Sequence, residues 1–245
     1  MAATRSTATR ARTAAGLIDV ALAPGRLLVA VPVVATLAWL AVHAVRVGEA
    51  GSIVYGADKE MATWAASGAP PGPQTLSWVE ADVERARAAT PGDPEAEELL
   101  GELAARQIDR AGSLDEALRH FARAVLLRPT SPYSWAAIAD ARYRKGDTGS
   151  TFETALRRAA ELGPAEPEVQ RTVVDLGLAT WDEVAPATRE AVEKTVTGAM
   201  KRDAAEVLQI AGRRGRLAVA CRHLADAPRR VDSEGLTTCS REATS

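Results

Sequence analysis

Three Pro-x-x-Pro pairs divide the chain at nearly equal intervals. They stand at positions 91 and 94, 129 and 132, and 164 and 167, so that successive pairs are 38 and 35 residues apart. Proline fits the first position of a helix, where its fixed φ and missing N–H cost nothing, and it also ends the helix before it. The residues before the second prolines, Asp93, Ser131 and Glu166, are favoured N-caps or place negative charge at a helix start. Each pair therefore predicts the end of one helix and the start of the next, rather than an exposed polyproline ligand.

The stretch between two proline pairs has room for two helices. After Pro94 one helix is predicted up to Gly112, and a second opens at Ser113 with Glu116 as a capping box and ends at Pro129. The next stretch repeats this arrangement, with the turn GDTG between its helices. Aromatic residues make up only 4% of the chain, and β-branched residues are sparse outside one stretch near the N-terminus. Because such residues favour strands, the sequence predicts an all-α fold.

The two-helix unit resembles the tetratricopeptide repeat (TPR), a helical hairpin of about 34 residues that stacks into an α-solenoid. In both complete units, small and apolar residues stand at positions of the TPR pattern: Leu100, Gly101, Ala117, Phe121, Ala124 and Pro129, then Trp135, Ile138, Ala139, Ala159 and Pro164. The segment that ends at Pro91 resembles the second helix of a degenerate earlier unit. The chain departs from the pattern by an extra turn near Asp109, an extra residue near Gly149 and the lack of the early tyrosine.

A long apolar run precedes the repeats. Leu27 to Val45 is nineteen residues without an acid, a lysine or an arginine, and Arg26 and Arg46 frame it. A helix of this length spans about 28 Å, close to the ~30 Å hydrocarbon core of a bilayer. A buried core helix is the alternative, but such helices seldom run so long without a polar face. We therefore expect a transmembrane helix.

Positive charge is concentrated before the apolar run. Arg5, Arg10, Arg12 and Arg26 precede it, opposed by Asp19 alone. The positive-inside rule then places the N-terminus in the cytoplasm and the repeats outside it. A cleaved signal peptide is the alternative, although its apolar region usually spans only about 7–15 residues. The predicted organisation is a cytoplasmic N-terminus (1–26), a transmembrane helix (27–45), a membrane-proximal helix (46–68), a linker (69–74), TPR-like repeats (75–180), capping helices (181–227) and a disordered tail (228–245).

The sequence contains few residues arranged for chemistry. Cys221 and Cys239 form no CxxC motif and are too few for a zinc site, so they either pair as a disulfide in an oxidising compartment or remain two thiols. No GxSxG or HExxH motif occurs, and the three histidines lie far apart in the chain. The net charge of -2 gives no bulk attraction to nucleic acid. We expect no enzymatic activity, no cofactor, no metal and no nucleic-acid partner.

The C-terminal half has a narrower resemblance. The segments LGPAEPEVQ, GLATWDE and RRGRL, behind one N-terminal membrane helix, resemble the VpsP-like proteins of bacterial exopolysaccharide loci over residues 27–225. The resemblance implies a non-catalytic accessory protein of exopolysaccharide biosynthesis or export, held in the bacterial inner membrane with its C-terminal domain in the periplasm. It implies protein partners from the same envelope machinery, and contact with the glycan itself stays open. An adaptor of another envelope machine, for secretion or pilus assembly, is the alternative function, with an enzyme as a more distant one.

Helical spacing also predicts a partner-binding groove, because the first helix of each TPR hairpin lines the concave face. The predicted groove residues are Glu98, Glu102 and Arg106 from the first unit, Tyr133, Asp140, Tyr143 and Arg144 from the second, and Arg171 and Asp175 from the third, with Glu95 and Glu168 at equivalent positions. Packing against the neighbouring repeat is the alternative for Tyr143. Leu99, Ala137 and Thr172 replace the asparagines of a peptide-carboxylate clamp, so a C-terminal peptide ligand is not expected. The basic segment around Arg213 is the second candidate surface.

Overall fold

A computed structural model of the chain describes residues 24–68, 71–107 and 109–224, together with Cys239. These residues are mostly helical and contain no strand, which confirms the predicted all-α fold for the described part of the chain. Ten helices occur in the described residues: α1 (Pro24–Ser67), α2 (Pro73–Ala89), α3 (Pro94–Arg106), α4 (Ser113–Leu127), α5 (Pro132–Arg144), α6 (Ser150–Leu162), α7 (Pro167–Ala179), α8 (Pro186–Arg202), α9 (Ala204–Arg213) and α10 (Leu217–Cys221).

The chain divides into two compact units, residues 1–46 and 47–245. In the first unit, α1 begins at Pro24 and continues through Pro32. From Leu28 onward α1 is, among the described residues, the one helix long and apolar enough to cross a membrane. Its most apolar stretch has a mean hydropathy of 2.2, and none of that stretch is buried. By length and composition this part of α1 is a candidate membrane span.

Helix α1 continues to Ser67, so the predicted transmembrane and membrane-proximal helices belong to one helix. It ends before Gly68, whose φ of 64° is left-handed and stops an α-helix. In the second unit, a stripe of α1 side chains at helical spacing is buried in a core shared with α2 and α3: Ala50, Val54, Ala57 and Met61. Helix α2 lies where the degenerate earlier unit was predicted. Because α2 begins at Pro73, it takes up the end of the predicted linker 69–74, of which residues 69 and 70 lie outside the described residues.

Three hairpins follow, formed by α3 with α4, α5 with α6, and α7 with α8. The first helix of each begins at the second proline of a pair, namely Pro94, Pro132 or Pro167. At the first of these starts the carboxylate of Asp93 accepts a hydrogen bond from the backbone N–H of Glu95 at 2.9 Å. This bond satisfies one of the free N–H groups of a helix N-terminus. The proline pairs therefore set the period of the array, as predicted.

The paired helices approach closely at the small residues of the TPR pattern. Ala117 and Ala124 on α4 have no exposed surface, and the ring of Phe121 between them is 2% exposed. That ring lies against Gly101 on α3, where an added Cβ would overlap it. Ala159 on α6 is likewise fully buried. Close-packed interiors have no room for larger side chains at such positions, so these residues fix the distance between the two helices.

The turn between α3 and α4 differs from the prediction. Helix α3 ends at Arg106 instead of running to Gly112. Gly112 has a φ of 79° and is itself the N-cap of α4, because glycine adopts this left-handed conformation without strain. The predicted capping box of Ser113 and Glu116 therefore does not form. Glu116 instead makes a salt bridge of 2.6 Å with Arg110 in the turn.

The array continues beyond the predicted end of the repeats at residue 180. Helix α8 packs on α6 and α7 as the second helix of a hairpin, and α9 and α10 cover that hairpin. Cys221, at the end of α10, forms a disulfide with Cys239, and their Cα atoms are 5.6 Å apart. The pairing that the sequence left open is therefore present. Apart from Cys239, the predicted disordered tail 228–245 lies outside the described residues.

Candidate partner-binding groove

The first helices of three hairpins line one cavity of about 370 Å³. This cavity, called the groove below, lies between α3, α5 and α7. Six of its lining residues stand at the positions that helical spacing predicted: Glu102, Arg106, Tyr133, Asp140, Arg144 and Glu168. The structure thus brings together side chains from three proline-started helices. Their role in binding stays a prediction.

The groove has an apolar floor and a charged rim. Ala105, Phe121, Ala136 and Val169 line it and are buried, and they form the floor. Two of these four are alanines, which leave space where larger side chains would fill the gap between the helices. The charged lining residues are half-buried or exposed. A concave apolar surface with a few polar groups around it is the usual composition of a binding site.

Glu102 has the most perturbed carboxylate of the groove. Partial desolvation within the concave wall raises the pKa of Glu102 from 4.5 to about 7, since its charged form loses part of its hydration there. The nearby carboxylates of Glu98, Asp58 and Glu168 raise the same pKa further, and only the guanidinium of Arg106 lowers it. The side chain still reaches solvent at the mouth of the groove. Glu102 therefore changes its charge near neutral pH.

Arg144 joins two of the groove helices. Its Nη2 donates a hydrogen bond of 2.6 Å to the backbone carbonyl of Ala105 at the end of α3. Its Nη1 donates to the carboxylate of Asp140 one turn earlier on α5, at 3.4 Å. A carbonyl at a helix C-terminus carries partial negative charge, which favours a guanidinium beside it. Arg144 is therefore at once a lining residue and a link between α3 and α5.

Tyr133 joins the groove helices α5 and α7. Its phenolic O–H donates a hydrogen bond of 2.5 Å to the carboxylate of Glu166, which precedes α7. That bond, followed by partial burial and the charge of Glu166, raises the pKa of Tyr133 to about 12. The side chain remains 43% exposed and lines the groove. Tyr133 therefore offers part of its ring to a partner while its hydroxyl is already bonded.

Two predicted groove residues on α3 hold neighbouring hairpins together instead. Glu98 accepts hydrogen bonds of 2.9 Å from Arg128 and from Ser131, and a further one from the hydroxyl of Ser134. Glu95 makes a weaker salt bridge with Arg128 at 3.4 Å. These bonds link the start of α3 to the start of α5. The oxygens of Glu98 are thus occupied within the array.

Tyr143 and Asp175 face the C-terminal helices. Tyr143 packs in the core with its ring 6.5 Å from that of Phe152 on α6, the second helix of its own hairpin. The guanidinium of Arg214 lies 5.8 Å from the Tyr143 ring and donates two hydrogen bonds to Asp175, at 2.9 and 2.5 Å. The bonds to Asp175 raise the pKa of Arg214 above its ordinary value. Neither Tyr143 nor Asp175 lines the groove.

Arg171 and the second candidate surface also make contacts within the array. Arg171 on α7 donates a hydrogen bond of 2.5 Å to Glu206 on α9, and it does not line the groove. In the basic segment, Arg216 pairs with Asp182, while Arg213 is exposed. Much of the positive charge that made this segment a candidate surface is therefore bonded to carboxylates of the same chain.

A second cavity of about 330 Å³ lies between α1 and α3 within the second unit and shares Glu102 with the groove. Its lining includes Asp58 and Tyr55 from α1, and five of its ten lining residues are acidic. The sequence does not predict this cavity, because its composition indicates that residues 46–68 form a membrane-proximal helix outside the array. The stripe of buried α1 residues at helical spacing was the signal that could have identified α1 as part of the array.

The structure also contains a buried carboxylate that the sequence does not predict. Glu97 on α3 is 1% exposed and lies 2.8 Å from Nδ1 of His120 and 2.9 Å from Nε of Arg123, both on α4. Arg87 on α2 is 3.8 Å away. A buried charge of this kind is tolerated only when paired, and the cluster joins three consecutive helices. Its role is structural, since none of its members lines the groove.

Hairpins whose first helices share a groove make the second unit a TPR-like α-solenoid. No family model and no curated protein matches the chain. Among solved structures, the chain is similar to the crystal structure of MamA protein. That similarity has a TM-score of 0.46 and 17% sequence identity, and it covers 80% of this chain and 96% of that chain.

Proposed function

We propose that the protein is a membrane-anchored, non-catalytic scaffold that binds a partner protein in its groove. The observation that supports this most directly is the lack of bonded partners, within the described part of the chain, at three charged groove residues, Glu102, Arg106 and Glu168. Their side chains line the groove without a hydrogen bond or salt bridge to the described residues. The other predicted residues of this face are bonded to side chains or backbone of the array, whereas the side chains of these three keep their capacity to interact. Charged groups around an apolar floor are the composition of a protein interface with a polar rim.

The proposal places the helical array outside the cytoplasm, on one N-terminal anchor in a bacterial inner membrane. Two observations support this placement. Four arginines precede the apolar run, and the disulfide of Cys221 and Cys239 belongs to an oxidising compartment such as the periplasm. A reporter enzyme fused after Ser245 is expected to be active only outside the cytoplasm. Activity of that fusion inside the cytoplasm would contradict the placement.

The proposed process is exopolysaccharide biosynthesis or export. Its support is the sequence resemblance of LGPAEPEVQ and GLATWDE to the VpsP-like proteins, together with the proposed anchor. In this role the groove would hold a component of the polysaccharide machinery close to the membrane. An adaptor for secretion or pilus assembly would use the same anchor and groove. The identity of the bound partner distinguishes the two.

The test is recovery of partners with a filled groove. Thr172 lines the groove and is half-buried, so Thr172→Trp places an indole in the cavity. Thr151 is exposed on α6 and does not line the groove, and Thr151→Trp is the matched control. The full chain and both variants are purified from detergent-solubilised membranes, checked for helicity and melting temperature, and their partners are identified by mass spectrometry.

We expect the wild type and Thr151→Trp to recover components of polysaccharide synthesis or export, and Thr172→Trp to lose them. Equal recovery by a folded Thr172→Trp would show that the groove is not the binding surface. Recovery of secretion or pilus components instead would overturn the exopolysaccharide assignment and leave the scaffold function standing.

A further inference from the structure

The charges that line the groove and the second cavity are strongly unbalanced. Seven carboxylate side chains line the two cavities against three guanidiniums. Two of the three guanidiniums are already engaged: Arg128 pairs with Glu95 and Glu98, and Arg144 contacts Asp140. The positive charge available on this face is therefore largely used to hold the hairpins together.

Negative charge, in contrast, is only partly compensated at the point where the two cavities meet, by the guanidinium of Arg106. Glu102 lines both cavities, with Glu168 in the groove and Asp58 in the second cavity. None of these three side chains has a hydrogen bond or salt bridge to the described residues, and Arg106 is the one lining guanidinium without a salt bridge to them. Limited hydration is the main cause of the raised pKa of Glu102; the guanidinium of Arg106 lowers that pKa, and the carboxylates of Glu98, Asp58 and Glu168 raise it further.

We propose that the groove binds a lysine or arginine side chain of a basic segment on the partner protein, with the cation beside Glu102 and Glu168. The alkyl part of such a side chain would cover the apolar floor at Ala136 and Val169, while its charged end reaches the rim. A cation at this position would form charge-assisted hydrogen bonds to carboxylates that have no partner in the chain. This inference rests on the proposed function, because it names the chemistry of the partner in the same groove.

Binding of a cation at Glu102 depends on pH. A bound cation stabilises the ionised carboxylate and so lowers the pKa of Glu102 from its value of about 7 in the free protein. Binding then releases a proton below that pH, and affinity rises as the pH rises through about 7. The charged groups that face Glu102 come from every neighbouring helix: Asp58 on α1, Glu98 and Arg106 on α3, Arg128 after α4, Asp140 and Arg144 on α5, and Glu168 on α7.

The probe is a fluorescent, amidated peptide of Lys-Ala-Ala repeats, compared with the same peptide in which glutamate replaces each lysine. Each is titrated with the full chain in uncharged detergent micelles, and fluorescence anisotropy gives the Kd. We expect the lysine peptide to bind about tenfold more tightly at about pH 8 than at about pH 6, because the ionised fraction of Glu102 changes by that factor. The glutamate peptide is expected not to bind. Equal affinities for the two peptides would overturn the inference.

Two variants, Glu102→Gln and its control Glu190→Gln, test whether the lysine peptide binds at Glu102. Glu102→Gln is expected to weaken it about tenfold at about pH 8 and to remove its pH dependence. Glu190 is an exposed carboxylate on α8 that lines neither cavity, so Glu190→Gln should bind like the wild type. Unchanged affinity and pH dependence in Glu102→Gln would overturn the cation site. If Thr172→Trp still abolishes partner recovery in that case, the groove keeps its proposed function and only the chemistry of the partner is wrong.

Discussion

Ionisation of the Glu102 carboxyl group lowers the stability of the folded chain. Its pKa is about 7 in the folded chain against an ordinary value of 4.5, so the folded state binds the proton more tightly than the unfolded state. Stability is then greatest below the ordinary pKa and is lost as the pH rises from about 4.5 through about 7. A carboxylate kept in such a position lowers stability near neutral pH, which is a frequent consequence of selection for binding.

Glu102→Gln should therefore raise the melting temperature of the full chain at about pH 8. The gain should shrink toward about pH 5, where the wild-type carboxyl is protonated in the folded state. Because the side chain retains contact with water, we expect the gain to be less than about 1 kcal/mol. Thermal unfolding followed by circular dichroism in uncharged micelles measures it. Glu190→Gln should show no pH-dependent difference of this kind, and a Glu102→Gln variant less stable than the wild type at about pH 8 would contradict the assignment.

Helical spacing predicted which residues stand on the concave face, but not what each of them contacts. Glu102 and Arg106 line the groove as expected, whereas Glu98 is bonded to Arg128 and Asp175 to Arg214. In both pairs the partner lies at least thirty residues away along the chain, in a turn between helices. Which carboxylate meets which arginine depends on how the hairpins stack, and the spacing within one helix carries no information about that.

At the scale of the helices, the pairing of α3 with α4 depends on small residues at their contact. Ala124 has no exposed surface, and the neighbouring Phe121 fills the space against Gly101. In an interior packed to this density, added methyl groups force side chains or helices apart. The position of Ala124 in the TPR pattern predicted this contact, and the structure places it in the core of the hairpin.

Ala124→Leu is therefore expected to lower the free energy of unfolding by about 1–3 kcal/mol. Ala122, on the same helix but exposed, is the matched control, and Ala122→Leu should change stability by less than about 0.5 kcal/mol. Thermal or denaturant unfolding of the full chain gives both values. Equal stabilities for the two variants would mean that α3 and α4 do not pair in this register.

Helix starts could be predicted more reliably than helix ends. The second proline of each pair begins α3, α5 and α7. The fixed φ of proline suits the first helical position, so this start can be predicted without knowing how the helices pack. The end of α3 at Arg106 is not predicted, because the helical pattern of the sequence continues past Arg106 as far as the left-handed turn at Gly112. Similarly, the sequence predicts two helices that meet at residue 46, because the composition changes there, whereas the structure has one continuous α-helix.

At the scale of the whole array, the groove exists because successive first helices stack side by side. The disulfide of Cys221 and Cys239 closes a loop of 18 residues at the C-terminal end of that stack. A loop of this length is expected to stabilise the folded chain by roughly 3 kcal/mol through the entropy of the unfolded state. The sequence could not predict the pairing, because two cysteines in different segments meet only once α8, α9 and α10 have packed together.

The central claim is that a partner protein occupies the groove between α3, α5 and α7. Site-directed photo-crosslinking tests it most directly, with a benzophenone amino acid at Thr172 in the groove or at Thr151 outside it, in cells that contain the partner. We predict that Thr172 forms a crosslink to the partner recovered with the wild-type chain and that Thr151 does not. A crosslink to that partner from Thr151 with none from Thr172 would place the partner elsewhere on the array and contradict this account.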